Sequence, residues 1–196
     1  EEMVYGKKHL DTLLFDILKY NMYLDVKNLF QSELLKCTEQ LFESSAILFK
    51  DKINFKMPGG SGFKPHQDVQ AGWDRYCKLH ITALVSIDAA NKENGYLELS
   101  PGKHHNGIIG QRWTPLEENS LNYIACPTNP GDVVFFDSYC PHRSKSNNTK
   151  NPRRVLYITY NKLSDGDHRE KYYADKRLNY PQDCERDPNK KYEYLV

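Results

Sequence analysis

Around Ala46 the hydrophobic period of this 196-residue chain changes, and the change limits what its two parts can become. Upstream, Leu10, Leu13, Leu14, Ile17 and Leu18 recur at helical spacing over residues 9–20, and Val26, Phe30, Leu34 and Leu41 repeat the pattern over 25–43. Two packed helices are predicted there, the second with Asp25 as its N-cap. Their apolar stripe reads as core packing rather than as a cofactor face. Downstream, Ile47, Phe49, Ile53 and Phe55 fall on one phase of a two-residue alternation that ends at Pro58-Gly59-Gly60-Ser61-Gly62. Strand-like runs follow at 79–88, 96–99, 121–126, 132–137 and 154–160, with turn signals such as Asn94-Gly95 and Pro101-Gly102 between them. Short strands behind two helices predict a mainly β architecture, a sandwich or jelly roll with helices packed outside.

The length suits one domain over 1–196: a helical scaffold over about 1–45, a β core over about 46–163 and a C-terminal tail over about 164–196. The tail is dense in charge and tyrosine, which fits a short helix and an extended end, either covering a sheet edge or serving as a lid. A formal net charge of +1 and a pI near 7.8 supply neither a basic field for nucleic acid nor a polybasic membrane patch, so the expected partner is a small molecule. The five cysteines, at 37, 77, 126, 140 and 184, show no Cys-x-x-Cys spacing. That argues against a disulfide framework or zinc knuckle and fits a reducing cytoplasm. No apolar run approaches the ~20 residues of a membrane span or resembles a signal peptide. The start, without Met and inside an amphipathic segment, suggests a longer natural N-terminus; oligomeric state has no signature.

Chemistry is concentrated at His66-Gln67-Asp68. An imidazole and a carboxylate two residues apart on a strand project from one face and can hold one edge of a metal ion. A second histidine from a distant strand would complete the two-His-one-carboxylate arrangement of non-haem Fe(II) oxygenases, which leaves coordination positions open. His142, just after the apolar run at 132–137, is the expected third ligand. His9-Leu10-Asp11 repeats the spacing, but on a helix these side chains diverge. The glycine-rich loop at 58–62 lacks the Gly-Lys-Ser/Thr ending and following helix of a nucleotide P-loop. Arg153, at the start of the next strand, can grip a carboxylate with two parallel hydrogen bonds, and Arg154 should face the other way.

Taken together, Ile53-Asn54-Phe55-Lys56, His66-x-Asp68, Asn94-Gly95-x-Leu97, Pro101-Gly102-x-His104, Gly131-Asp132, Pro141-His142-x-Ser144 and Arg153 resemble the phytanoyl-CoA dioxygenase family of Fe(II)/2-oxoglutarate oxygenases over about residues 46–163. The resemblance implies a double-stranded β-helix. It also implies His66, Asp68 and His142 as iron ligands, Arg153 with Ser144 holding the distal 2-oxoglutarate carboxylate, and Asn54 near that co-substrate. Asn54 could instead satisfy strand-end backbone, and Ser144 could cap a turn. The implied activity is hydroxylation by O2, coupled to decarboxylation of 2-oxoglutarate to succinate. Asp68, where a halogenase would carry Gly or Ala, disfavours halogenation.

Phe63, Trp73, Tyr76 and Phe136 are candidate substrate walls, with Lys52, Lys56, Lys64 and Arg75 as candidate anion holders. Residues 52–76 and 172–177 resemble hydroxylases of small organophosphonates such as 2-aminoethylphosphonate, while Ile53–Lys56 is also similar to ectoine hydroxylases. An ectoine-like, amino-acid-like or acyl-CoA substrate, or a non-catalytic metal and 2-oxoglutarate sensor, are the alternatives. His80, His104 and His105 are expected to be structural or solvent-facing.

Overall fold

The computed structural model describes residues 33–179, 181 and 185–190. The helix expected over 9–20, the pair His9 and Asp11, the Asp25 cap and Cys184 lie outside the described residues. Of the second expected helix, Glu33–Phe42 is described and forms α1. Leu34, Thr38 and Phe42, four residues apart, make its buried stripe. It ends where Glu43 takes a φ of 51° and Ser44 N–H donates to Glu39 O at 3.1 Å.

Eight strands follow: β1 (Ala46–Lys56), β2 (Phe63–His66), β3 (His80–Ser86), β4 (Leu97–Leu99), β5 (Ile124–Cys126), β6 (Val133–Asp137), β7 (His142–Ser144) and β8 (Arg153–Lys162). A main sheet runs β1-β8-β3-β6 and a second sheet β2-β7-β4-β5, all pairs antiparallel. Except for β4 to β5, each strand passes to the opposite sheet from the one before it, which is the winding of an eight-stranded jelly roll, or double-stranded β-helix. On the outer face of the main sheet, Leu34 and Phe42 of α1 pack against Ile81, Ala83, Leu156, Ile158 and Tyr160. Between the sheets, Leu84, Phe136 and Val155 meet Leu97 and Cys140. β8, rich in β-branched and aromatic residues, lies between β1 and β3 and has buried residues on both faces.

The alternation expected for β1 needs a correction. The register shifts between Leu48 and Lys50, and Phe49 is the extra, fully buried residue of a β-bulge. Ile47 pairs with Asn161, but beyond the bulge Ile53 and Phe55 pair with Leu156 and Arg154. The four hydrophobic residues read as one phase are therefore split: Ile47 lies on the inner face and Ile53 on the outer, beside the α1 cluster. The inner face of β1 thus carries Lys50, Lys52, Asn54 and Lys56, opposite Thr159, Tyr157, Val155 and Arg153.

The C-terminal part contributes α2 (Arg169–Asn179), which packs on β1, an edge strand of the main sheet. Tyr172 is buried against Phe49 and Trp73, and the Tyr173 hydroxyl donates to Asp51 O at 3.1 Å. Arg169 adds an ion pair to Asp51 at 2.5 Å. Among the described residues no helix is long and apolar enough to cross a membrane, and the four described cysteines are free thiols.

Gly95 shows how tightly the second sheet is closed. It holds a φ of +72°, and a β-carbon there would collide with the backbone of Lys145 and Ser146. Gly95→Ala combines left-handed backbone strain with that clash, and is expected to destabilise the fold by roughly 1–3 kcal/mol or more. A lowered denaturant midpoint at unchanged slope is the measurement.

Candidate metal centre

His66 is the last residue of β2 and His142 the first of β7, and the two are direct partners in the second sheet, with ring centres 4.3 Å apart. Asp68 opens a 3-10 turn, Asp68–Ala71, immediately after the strand. The intervening Gln67 is extended (φ −111°, ψ 136°) and fully buried. Its side chain donates to Gly107 O at 2.9 Å and Tyr139 O at 2.6 Å and accepts from Ile109 N–H at 2.7 Å. Gln70 Oε1 accepts from Gln67 N–H at 2.9 Å, while the Gln70 amide donates to Gln111 and Thr114 carbonyls. Two buried glutamines thereby bind the His-x-Asp segment to its neighbouring loops. One ligand atom from each of His66, Asp68 and His142 lies within 4.8 Å of the others. At that spacing the three residues would be able to hold one metal ion between them.

The donor set fits a divalent ion in its protonation as well as its spacing. His66 Nδ1 lies 2.7 Å from Lys64 O, and His142 Nδ1 lies 3.0 Å from Cys140 O. A carbonyl can only accept, so each Nδ1 carries the hydrogen and each Nε2 keeps its lone pair for a metal. Burial, reinforced by the adjacent His142, pushes His66 down to about 3, so it is neutral at physiological pH. Burial alone would raise the Asp68 pKa, but His142, His66, Lys50 and Lys52 outweigh it and hold the carboxyl below its usual range. The result is two imidazoles and one carboxylate converging from one side.

Cations surround this centre. Lys50, Lys52, Asn54, Phe63, Trp73 and Tyr157 line the cavity around His66, Asp68 and His142. Deeper along β1, Lys56 pairs in register with Arg153, and both are buried. Lys56 Nζ donates to Ser144 Oγ at 2.8 Å and Gly95 O at 3.1 Å, while Arg153 Nε donates to Asn94 O at 3.2 Å. Burial, with Arg153 beside it, lowers Lys56 to about 7. Arg154 lies on the opposite face and forms two side-chain bonds with Asp88, each 2.8 Å long.

The sequence-derived residues thus fall into two groups. His66, Asp68, His142, Asn54, Ser144, Lys52 and Trp73 line one cavity, and Lys56 and Arg153 adjoin it. Phe136 backs His142, with ring centres 5.0 Å apart, from within the inter-sheet core. Arg75 is exposed and outside the cavity lining, a correction to its reading as an anion holder: the turn Trp73–Arg75 buries Trp73 and sends Arg75 to solvent. Tyr76 is likewise outside, packed on Phe49 and donating to Asp175 at 2.7 Å. Lys64 is exposed; His80 is buried beside Cys77, and His104 and His105 stack on each other outside the cavity. Lys50, Tyr157 and the two anchoring glutamines were not singled out from sequence. Alternation with Lys52, Asn54 and Lys56 was the available signal for Lys50; nothing local marks Gln67 or Gln70.

The sequence model described as phytanoyl-CoA dioxygenase (PhyH) matches residues 6–155. A methylphosphonate hydroxylase from Gimesia maris is 42% identical over 161 residues, covering 78% of this chain and 59% of that protein. A 2-aminoethylphosphonate dioxygenase from the uncultured bacterium HF130_AEPn_1 is 41% identical over 167 residues, covering 78% and 60% respectively. The chain therefore spans about three fifths of the length of these relatives. Among solved structures, EctD from S. alaskensis with 2-oxoglutarate and 5-hydroxyectoine is similar in fold, with a TM-score of 0.60 at 24% identity over 67% of this chain and 50% of that one.

Proposed function

This chain belongs to the phytanoyl-CoA dioxygenase family, and from that membership we propose that it is an Fe(II)- and 2-oxoglutarate-dependent dioxygenase hydroxylating a small organophosphonate. The observation that carries the reading is the donor set: two imidazoles with their Nδ1 hydrogens bound to carbonyls, facing one carboxylate. Fe(II) held by His66, Asp68 and His142 would supply the redox chemistry by which substrate C–H, 2-oxoglutarate and O2 become alcohol, succinate and CO2.

The chain's own part is binding and orientation. Arg153 and Ser144 form the group suited to the distal carboxylate of 2-oxoglutarate, with Lys56 bonded to Ser144 behind them and Asn54 on the same inner face of β1. Arg153 contributes a planar fork that matches a carboxylate, and its burial strengthens the bond it makes there. Phe63, Trp73 and Tyr157 wall the metal-proximal space and limit water around the reacting C–H bond. The relatives named for phosphonates and the lysines of β1 together support the substrate class.

The test is substrate-dependent succinate release by the full chain with Fe(II) and 2-oxoglutarate, across small phosphonates, amino acids, ectoine and an acyl-CoA. Phosphonates should stimulate release by tenfold or more on the order expected for coupled turnover, with matching hydroxylated product. Binding of Fe(II) and 2-oxoglutarate without stimulation by any of them would instead identify a non-catalytic sensor.

A further inference from the structure

Two ammonium groups enter the cavity with no carboxylate at ion-pair distance among the described residues. Lys50 is 8% exposed, and its Nζ lies 4.8 Å from the Trp73 ring centre and 5.3 Å from that of Tyr172. Lys52 Nζ lies 5.2 Å from the Tyr157 ring centre and 5.8 Å from that of Phe63. Both side chains leave the inner face of β1, two residues and so roughly 6.6 Å apart. Aromatic faces hold an ammonium in place but do not cancel its charge. The third cation of the lining, Arg143, is already paired with Glu98 at 2.6 Å and Glu118 at 3.1 Å. Asp68 is the single carboxylate lining the cavity among the described residues, and it belongs to the metal centre.

We propose that Lys50 and Lys52 form a clamp for a dianionic phosphonate head group, and that this clamp favours an alkylphosphonate without an amino group over a zwitterionic aminophosphonate. The inference rests on the dioxygenase reading above and deepens it. A carboxylate brings one negative charge to two buried ammoniums, whereas a phosphonate brings up to two charges on three acceptor oxygens. An amino group on the substrate enters a wall that already carries two positive charges. With Asp68 committed to the metal, its ammonium finds no described carboxylate to accept it, so it is desolvated without compensation. Because Tyr172 reaches Lys50 from α2, the C-terminal helix is part of this substrate site.

The test is phosphorus NMR and calorimetric titration of the full chain, loaded with 2-oxoglutarate and redox-inert zinc(II), using methylphosphonate, 2-aminoethylphosphonate and acetate. Wild type should bind methylphosphonate about tenfold more tightly than 2-aminoethylphosphonate, with acetate weakest. Lys50→Met and Lys52→Met should each weaken methylphosphonate binding about tenfold or more, with 2-oxoglutarate binding reporting that the variant is folded. Lys52→Arg, which keeps the charge, should retain most of the affinity and covers the case in which a methionine variant does not fold. Unchanged methylphosphonate affinity in both methionine variants, or tighter binding of 2-aminoethylphosphonate, overturns the clamp and leaves the dioxygenase reading intact. Binding of zinc(II) and 2-oxoglutarate with neither phosphonate bound by wild type overturns the phosphonate reading itself.

Discussion

Replacing any one of His66, Asp68 or His142 by alanine is expected to reduce Fe(II)-dependent 2-oxoglutarate turnover by at least about a hundredfold, since even loss of an orienting neighbour of a metal ligand costs roughly 10–100-fold. Each variant removes one of the three donors proposed for the metal. No fourth group can substitute: Asp68 is the only carboxylate of the lining among the described residues, and His80 is buried against Cys77, its Nε2 3.0 Å from the thiol sulfur. His104→Ala and His105→Ala provide the contrast, because those rings stack on each other at 3.8 Å outside the cavity. Metal affinity, followed by competition with a chelator, should fall alongside activity in the first three variants only. Full turnover in any of them, with metal carefully controlled, removes that residue from the centre.

The fold and this centre were unequally legible in sequence, for physical reasons. The jelly roll announced itself through the change of period near Ala46 and the turn residues between short runs, because those signals are local. His66 and Asp68 were visible because a strand holds residues two apart on one face; in the structure Asp68 already belongs to the next turn, and extended Gln67 preserves the geometry. The β1 bulge was not visible. Whether Phe49 is accommodated as an extra residue depends on Trp73, Tyr76 and Tyr172, which arrive from distant parts of the chain. Because Phe49 is taken out of the alternation, Lys50, Lys52, Asn54 and Lys56 turn together to the inner face. Arg75 was misread for a related reason: a 3-10 turn rotates successive side chains by roughly 120°, so its nearness in sequence to Trp73 does not place it in the same cavity.

Arg153→Lys is expected to raise the apparent dissociation constant for 2-oxoglutarate by about tenfold or more. Arg154→Lys, one residue away, should leave it nearly unchanged. β8 sends these two side chains to opposite faces: Arg153 is 4% exposed and pairs with Lys56 across the inner surface, while Arg154 binds Asp88 outside. A lysine at 153 keeps the charge but loses the planar fork, and charge-assisted hydrogen bonds are worth roughly 1.5–3 kcal/mol each. Lys56 cannot take over, because its ammonium is already bonded to Ser144, Gly95 and Lys145, and burial beside Arg153 has lowered it to about 7. At 154 the same substitution breaks the two-pronged contact with Asp88, an exposed pair worth about 0.2–1 kcal/mol, and should appear only as a small loss of thermal stability. Titrating both variants with 2-oxoglutarate at saturating metal separates the effects. A larger defect at 154 would mean that the co-substrate approaches from the outer face of β8, and equal affinities for both variants and wild type would place its distal carboxylate away from Arg153.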